Sequence, residues 1–373
     1  MSKVLLGDVA IERKETCKSS KEGYPVVGLE HLIPEEITLS AWEEGSDNTF
    51  TKMFRKGDML FGRRRAYLKK AAVAPFDGIC SGDITVIAAK SERILPEILP
   101  FVIQNDVFFD YAVGKSAGSL SPRVKWEHLK NYEFDLPDME TQRKLADLLW
   151  AMDATKKSYQ EMIHMTDELV KSQFIEMFGD PVANPMSWDV CPLLSLGSCK
   201  NGMNYTAKEC GEEIKCLGVA DFQERARIDS TTELSTISLN SRPPEEYLLK
   251  DDDIVFVRSN GNKDLVGRSV LVRVGSESVT FSGFCIRFRQ EADFVSPLYL
   301  LYLFKSESVK IKLRGRGANV QNLNQKILSS IAVPLPPRQL QIQFDLFVKQ
   351  IDKSKFAVHS GSNLNLSFTL VIA

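Results

Sequence analysis

Two stretches decide how this chain is organised: "PDMETQRKLADLLWAMDA" at residues 137–154 and "PPRQLQIQFDLFVKQIDK" at residues 336–353. Each follows a strand-like apolar run, Tyr132–Leu136 or Ile331–Leu335. Each places a glutamine five residues after its first proline (Gln142, Gln341) and an aspartate sixteen after it (Asp153, Asp352). The same helix start, met twice about 200 residues apart, predicts an internal duplication.

Working outward, further landmarks recur in the same order. "LGDVA" from Leu6 matches "LGSCK" from Leu196, and "VVGLEHL" from Val26 matches "CLGVADF" from Cys216. "FRKGDMLFGRRR" from Phe54 aligns with "LLKDDDIVFVRSN" from Leu248, setting Asp58 on Asp253, Phe61 on Phe256 and Arg63 on Arg258. "CSGDITVI" from Cys80 matches "FSGFCIRF" from Phe281, and "GSLSPRVKWEHLKNYEFDLP" from Gly118 matches "GANVQNLNQKILSSIAVPLP" from Gly317. Chance supplies one or two such matches, not the ordered set.

Each copy reads as mixed α/β. Met59–Phe61, Ile84–Ala88, Ile254–Val257 and Ser269–Val274 are short apolar runs of the kind that form buried strands. Pro96–Val113 and Pro297–Leu313 carry helical periodicity, with prolines suited to a first turn. Between the copies, Asp138–Phe178 contains neither proline nor glycine. Its apolar residues, among them Leu145, Leu149, Met152, Tyr159 and Leu169, keep a three–four spacing. That predicts an amphipathic helix of about 40 residues, roughly 60 Å long. So long an apolar stripe calls for a partner helix, and Phe344, Phe347 and Ile351 repeat the spacing in the second copy. The second helix is expected to lose its pattern after Val358, giving about 22 residues and an atypical tail.

Composition sets the function class only by exclusion. The chain has 373 residues, 43% hydrophobic and 26% charged, with a net charge of −2. These values suit a globular protein of two or more domains. No run of apolar residues is long enough to cross a bilayer, so a cytoplasmic location is expected. The seven cysteines include no CxxC pair, and the four histidines are far apart in sequence, so no metal site is expected. "GNKDLVGRS" from Gly261 has the wrong glycine spacing for a phosphate loop and lacks its lysine. No nucleophile–base pair is recognisable, so no catalytic residue is assigned.

What remains is basic, polar and repeated. "GRRRAYLKK" puts Arg63, Arg64, Arg65, Lys69 and Lys70 just beyond a strand, with Tyr67 among them. The matching place in copy two carries Arg258, Ser259, Asn260, Lys263 and Arg268. A second pair of clusters holds Lys115, Ser119, Arg123 and Lys125 in copy one, and Lys310, Lys312, Arg314, Arg316, Asn319, Gln321 and Asn322 in copy two. Arginine and lysine bind phosphates, while arginine, asparagine and glutamine pair with purine edges. Residues that differ between copies on agreeing apolar landmarks are what two readers of different sequences would look like.

The chain resembles the specificity subunits of type I restriction-modification enzymes. The likeness is carried by "GDMLFGRRRAYLKKAAVAPFDGICSGDI" from Gly57, "LPDMETQRKLADLL" from Leu136, "FGDP" from Phe178 and "LPPRQLQIQF" from Leu335. The resemblance implies an α/β (α+β) fold with two pseudo-repeated target-recognition domains, residues 1–137 and 181–336. Long antiparallel coiled-coil helices, residues 138–180 and 337–373, would separate them. It implies a non-catalytic DNA-binding subunit that reads a bipartite target on double-stranded DNA. Methyltransferase subunits would dock on the paired helices, and motor-nuclease subunits would complete the restriction complex. S-adenosylmethionine, ATP and magnesium would belong to those partners, and no membrane is involved. DNA contacts would fall on Arg63, Arg64, Arg65, Lys69, Ser119 and Arg123, and on Arg258, Asn260, Lys263, Arg316, Asn319 and Asn322. Helix pairing and docking would use Leu145, Leu149, Met152, Tyr159, Leu169, Phe344, Phe347 and Ile351. The alternatives are a coiled-coil adaptor that binds protein partners, or an inactive or truncated specificity variant.

Overall fold

A computed structural model describes residues 2–18, 21–45, 48–206, 208–222, 225–314 and 322–362, with side chains described up to Lys355. Two compact units divide the chain within its longest helix: one runs to Glu161, the other covers Met162–Val358.

In the first unit, Ala10–Glu12, Ile84–Ala89, Met59–Gly62 and Ala71–Val73 form a four-stranded antiparallel sheet in that spatial order. A smaller sheet joins Val26–Val27, Gly78–Cys80 and Lys52–Phe54, its first pair parallel. Ser2–Leu5 pairs antiparallel with Glu133–Leu136, bringing the two ends of the domain together.

The second unit repeats the plan. Gly197–Asn201, Cys285–Gln290, Ile254–Val257 and Ser269–Val272 take the same spatial order, extended by Arg227–Ile228. Glu212–Leu217 lies parallel to Val279–Phe281, as Val26–Val27 does to Gly78–Cys80. Val190–Pro192 closes on Ala332–Pro334. One difference is topological: Ser235–Leu239 pairs with Glu212–Leu217, whereas its counterpart Lys52–Phe54 pairs with Gly78–Cys80. The strands are buried on both faces, which is why they read as unbroken apolar runs.

Each expected sheet-covering helix is two. Leu99–Ile103 and Asp106–Gly114 meet at Asn105, whose side chain accepts the Val107 amide at 2.9 Å and caps the second piece. Pro297–Lys305 and Glu307–Arg314 meet at Ser306. Pro96 lies ahead of the first helix rather than in its first turn, whereas Pro297 does occupy that position, behind the Ser296 cap.

The landmarks of the repeat are structural. Phe61 meets Phe108 edge-on at 5.5 Å, and Phe256 meets Phe304 edge-on at 4.9 Å. Buried Asp58 accepts the Arg55 amide and both Nε and Nη2 of Arg13, at 2.5 and 3.1 Å. Buried Asp253 accepts the Lys250 amide and both Nε and Nη2 of Arg289, at 2.8 and 2.6 Å. The carboxylate keeps its place, and the arginine comes from elsewhere, just past the strand Ala10–Glu12 in one unit and within Cys285–Gln290 in the other.

The glutamine clamp is the same at the two helix starts. Gln142 Nε2 donates to the Pro137 carbonyl at 2.8 Å, and its Oε1 accepts the Leu95 amide at 2.8 Å. Gln341 Nε2 donates to the Pro336 carbonyl at 2.8 Å, and its Oε1 accepts the Ser296 amide at 2.7 Å. Both glutamines are buried, so the amide completes backbone groups that water cannot reach.

The central helix, Met139–Phe178, is 40 residues long. Asp138 caps its start, accepting the Glu140 and Thr141 amides. Gly179, at φ +76°, ends it with its amide on the Ile175 carbonyl. Its first turns close the core of the first unit: Leu145, Leu149 and Met152 pack there, beside Trp150, which meets Phe101 edge-on. In the second unit, Phe174 and Phe178 pack edge-on and tilted against Tyr299 and Phe344. Phe344, Val348, Phe347 and Ile351 join Val170, Phe174 and Phe178 in one core. The distal helix, Arg338–Ser362, has 25 residues. Asp167 pairs with Lys355 near one end of the contact and Phe178 with Phe344 near the other, so the two helices run in opposite directions there. The distal helix continues four residues past the expected break at Val358; residues 363–373 lie outside the described residues.

Candidate nucleic-acid interface

Two segments far apart in sequence meet at the rim of the first sheet. Leaving the strand Met59–Gly62, the Arg63 amide donates to the Asp83 carbonyl at 3.0 Å. Its own carbonyl accepts the Val124 amide at 3.0 Å. Arg64 and Arg123 thereby form an antiparallel bridge. Asp83 stands between them, accepting Arg123 Nε at 2.8 Å and Arg64 Nη1 at 3.4 Å, while Arg64 Nε donates to Ser121 Oγ at 2.6 Å. The Arg123 and Arg64 guanidinium groups hold the Asp83 carboxyl below its usual range. A guanidinium carries five N–H donors, so this fixes two planar cations without exhausting them. The Arg63 Nε is buried and has no hydrogen-bond partner among the described residues.

Arg65 and Lys69 flank a short turn, Ala66–Leu68, in left-handed conformation at φ +54° and +51°. Such a conformation costs a non-glycine residue about 1–2 kcal/mol. The Arg65 amide on the Pro122 carbonyl, at 2.8 Å, helps hold it. The turn leaves Arg65 and Tyr67 exposed. Lys69 pairs with Asp106 at 2.6 Å. Ser119 and Leu120 stand exposed at the tip of the neighbouring loop, after Gly118 at φ +113°.

The second unit builds the same frame with other side chains. The Arg258 amide donates to the Phe284 carbonyl at 2.8 Å, and the Leu323 amide to the Arg258 carbonyl at 2.8 Å. Ser259 and Asn322 form the antiparallel bridge that Arg64 and Arg123 form in the first unit. Arg258 Nη1 donates to the Gly283 carbonyl at 3.1 Å. Asn260 accepts the Asn262 amide, and Asn262 in turn caps the short turn Lys263–Leu265. Where the first unit has Asp83 the second has Phe284, 61% exposed. It edges a groove of about 450 Å³ with Tyr205, Asp221 and Asn260. Arg316 and Asn319 lie outside the described residues.

Thus Arg63, Arg64, Ser119 and Arg123 of one unit, and Arg258, Asn260, Lys263 and Asn322 of the other, sit on the two loops of a repeated rim. Asp83, Ser121 and Phe284 join them although composition did not mark them. The repeated tripeptides "SGD" at 81–83 and "SGF" at 282–284 are the signal that could have marked Asp83 and Phe284. Of the helix residues, Tyr159 is partly exposed, and Leu169 faces solvent near Met162 and Met165 on the same helix. Among the described residues no group of three His, Cys, Asp or Glu side chains could hold a metal ion, and no helix is long and apolar enough to cross a membrane.

The family model "Type I restriction modification DNA specificity domain" matches residues 2–163 and 211–366, one match in each copy. The StySPI specificity subunit of Salmonella potsdam is 25% identical over 62% of this chain, but only 54% of its own length is matched. A putative type I restriction enzyme MjaX specificity subunit of Methanocaldococcus jannaschii is 21% identical over 90% of this chain and 83% of its own. For the EcoKI specificity subunit of Escherichia coli the figures are 25%, 46% and 38%. A chain from a solved type I R-M system shares the fold, with a TM-score of 0.50 at 20% identity over 97% of this chain and 93% of that one. With two matches that fall on the two structural repeats and together cover most of its length, this chain belongs to the type I restriction-modification DNA specificity domain family.

Proposed function

We propose that the chain is a non-catalytic specificity subunit that reads a split, asymmetric site on double-stranded DNA, one half per recognition domain. The domains would be residues 1–137 and 181–336. The helices Met139–Phe178 and Arg338–Ser362 would act as the spacer between them. One observation carries this reading. An identical backbone frame, Arg63 with Val124 and Arg258 with Leu323, presents Arg64, Asp83 and Arg123 in one copy but Ser259, Phe284 and Asn322 in the other. A frame kept constant while its polar tips differ suits direct readout, where side-chain identity selects the base.

Methyltransferase subunits would dock on the helices. Met162, Met165 and Leu169 of the central helix and Leu346 of the distal helix expose apolar surface that the second unit does not cover. S-adenosylmethionine, ATP and magnesium would enter with the methyltransferase and motor-nuclease partners.

The test is modular. Exchanging residues 1–137 for those of a relative should change one half of the methylated site and leave the other half intact. A change in both halves, or in neither, sinks the reading. Inserting four residues near Tyr159 adds about 6 Å and turns the helix by about 40°. An unchanged spacer between the half-sites would show that the helix is not the ruler.

A further inference from the structure

Behind the second reading loop lies a cavity of about 290 Å³ that the DNA-contact residues above do not use. It is enclosed by the central helix, the helices Pro297–Lys305 and Glu307–Arg314, and the segment that runs from Asp264 into the strand Ser269–Val272. Lys171, Arg225, Arg268, Lys305, Lys310 and Arg314 line it, against two carboxylates, Asp167 and Asp264. Three of these cations have acid partners outside the lining. Glu168, Glu233 and Glu307 pair with Lys171, Arg225 and Lys310 at 2.6–2.7 Å, yet none of the three lines the cavity. Asp167 is itself engaged by Lys355.

Lys305 is the most telling of the group. Its Nζ has a backbone carbonyl, that of Arg225 at 3.4 Å, and no carboxylate partner among the described residues. Burial, with Lys171 and Lys310 adding repulsion, pushes its ammonium down to about 8. Six cations against two carboxylates, with the paired acids of Lys171, Arg225 and Lys310 outside the lining, leave a positive potential that a bound anion would relieve. Arginine forks and lysine point charges together are the donor set that oxyanions of phosphorus take.

We propose that this cavity binds a phosphate group. The backbone of the bound duplex is the favoured source: Arg268 ends the loop that starts at Arg258, and Arg314 ends the helix that precedes Asn322. In that form the proposal rests on the DNA-reading assignment. With a free phosphoanion as the source it stands without it.

The full-length chain is titrated with inorganic pyrophosphate by calorimetry, and separately with a duplex of random sequence across a series of salt concentrations. Three proteins are compared: the native chain, Lys305→Met with Arg268→Gln, and Lys310→Gln with Arg314→Gln. The second pair lies on a short surface helix and tolerates substitution if the first pair does not fold. Loss of two charge-assisted contacts is expected to weaken pyrophosphate binding by about tenfold or more. It is also expected to lower the slope of log K against log salt by about 0.9 for each phosphate contact removed. Pyrophosphate binding that the variants lose, with an unchanged duplex slope, assigns the site to a free anion. A reduced slope without pyrophosphate binding assigns it to the DNA backbone. Neither effect, in variants with native circular dichroism, overturns the site. Selective duplex binding that survives in both variants, with an unchanged slope and no pyrophosphate bound by any of the three proteins, removes the cavity and leaves the reading of DNA standing. Pyrophosphate binding without any sequence selectivity does the reverse.

Discussion

The two units differ least where the chain enters its helices and most where it turns at the rim of the sheet. Gln142 and Gln341 make the same pair of hydrogen bonds to backbone atoms, within 0.1 Å of each other. At the rim, the same backbone pairing carries an Arg–Asp–Arg cluster in one unit and Ser259, Phe284 and Asn322 in the other. Buried hydrogen-bonding geometry has few solutions, so it repeats. An exposed side chain on a fixed frame changes at little structural expense, so it is free to specialise.

This contrast can be tested from its strongest element to its weakest. Asp58→Ala and Asp253→Ala each strand a partly buried arginine, and each should cost roughly 3–5 kcal/mol in denaturant unfolding. Arg13→Gln should weaken the first unit only and Arg289→Gln the second only. Similar losses from all four would show the arginine's place of origin to be immaterial. Gln142→Ala and Gln341→Ala each orphan a buried amide and a buried carbonyl, for about 2–5 kcal/mol. Their costs should agree; a clear disparity breaks the equivalence of the two starts. Asp83→Ala or Arg123→Gln should alter base preference in one half-site by about 1–3 kcal/mol, and Asn322→Ala in the other. Selection of targets from a randomised duplex pool measures both, and crossed effects would end the modular picture. Smallest of all, Arg65→Ala on the exposed turn should weaken binding to every sequence alike and lower the salt slope by about 0.9. A loss confined to one sequence would move Arg65 from positioning to base readout.

Much of this was legible beforehand, for identifiable reasons. The helix starts were visible because proline, glutamine and strand recur at fixed offsets. The pairing of Arg63 with Arg258 was visible because apolar runs flank both. The breaks at Asn105 and Ser306 were not, since a polar residue inside an apolar periodicity reads equally well as the outer face of one helix. Nor did spacing reveal what the central stripe would cover. Leu145, Leu149 and Met152 belong to the core of the first unit, while Val170, Phe174 and Phe178 meet the distal helix. A three–four period specifies that a face is buried, not against what. Asp83 and Phe284 escaped because a search for cations and amides passes over the residues that orient them, which only folding brings alongside.

The clamp at each helix start has a consequence for how such chains diversify. Both hydrogen-bond partners of the Gln142 amide are main chain, the Pro137 carbonyl and the Leu95 amide, and the same holds for Gln341. Main-chain atoms are supplied by any domain of this topology, whatever its side chains. A genetic crossover at this seam would therefore splice in a foreign reader with this hydrogen-bonded joint already complete, leaving the apolar contacts of Leu145, Leu149 and Met152 to be matched.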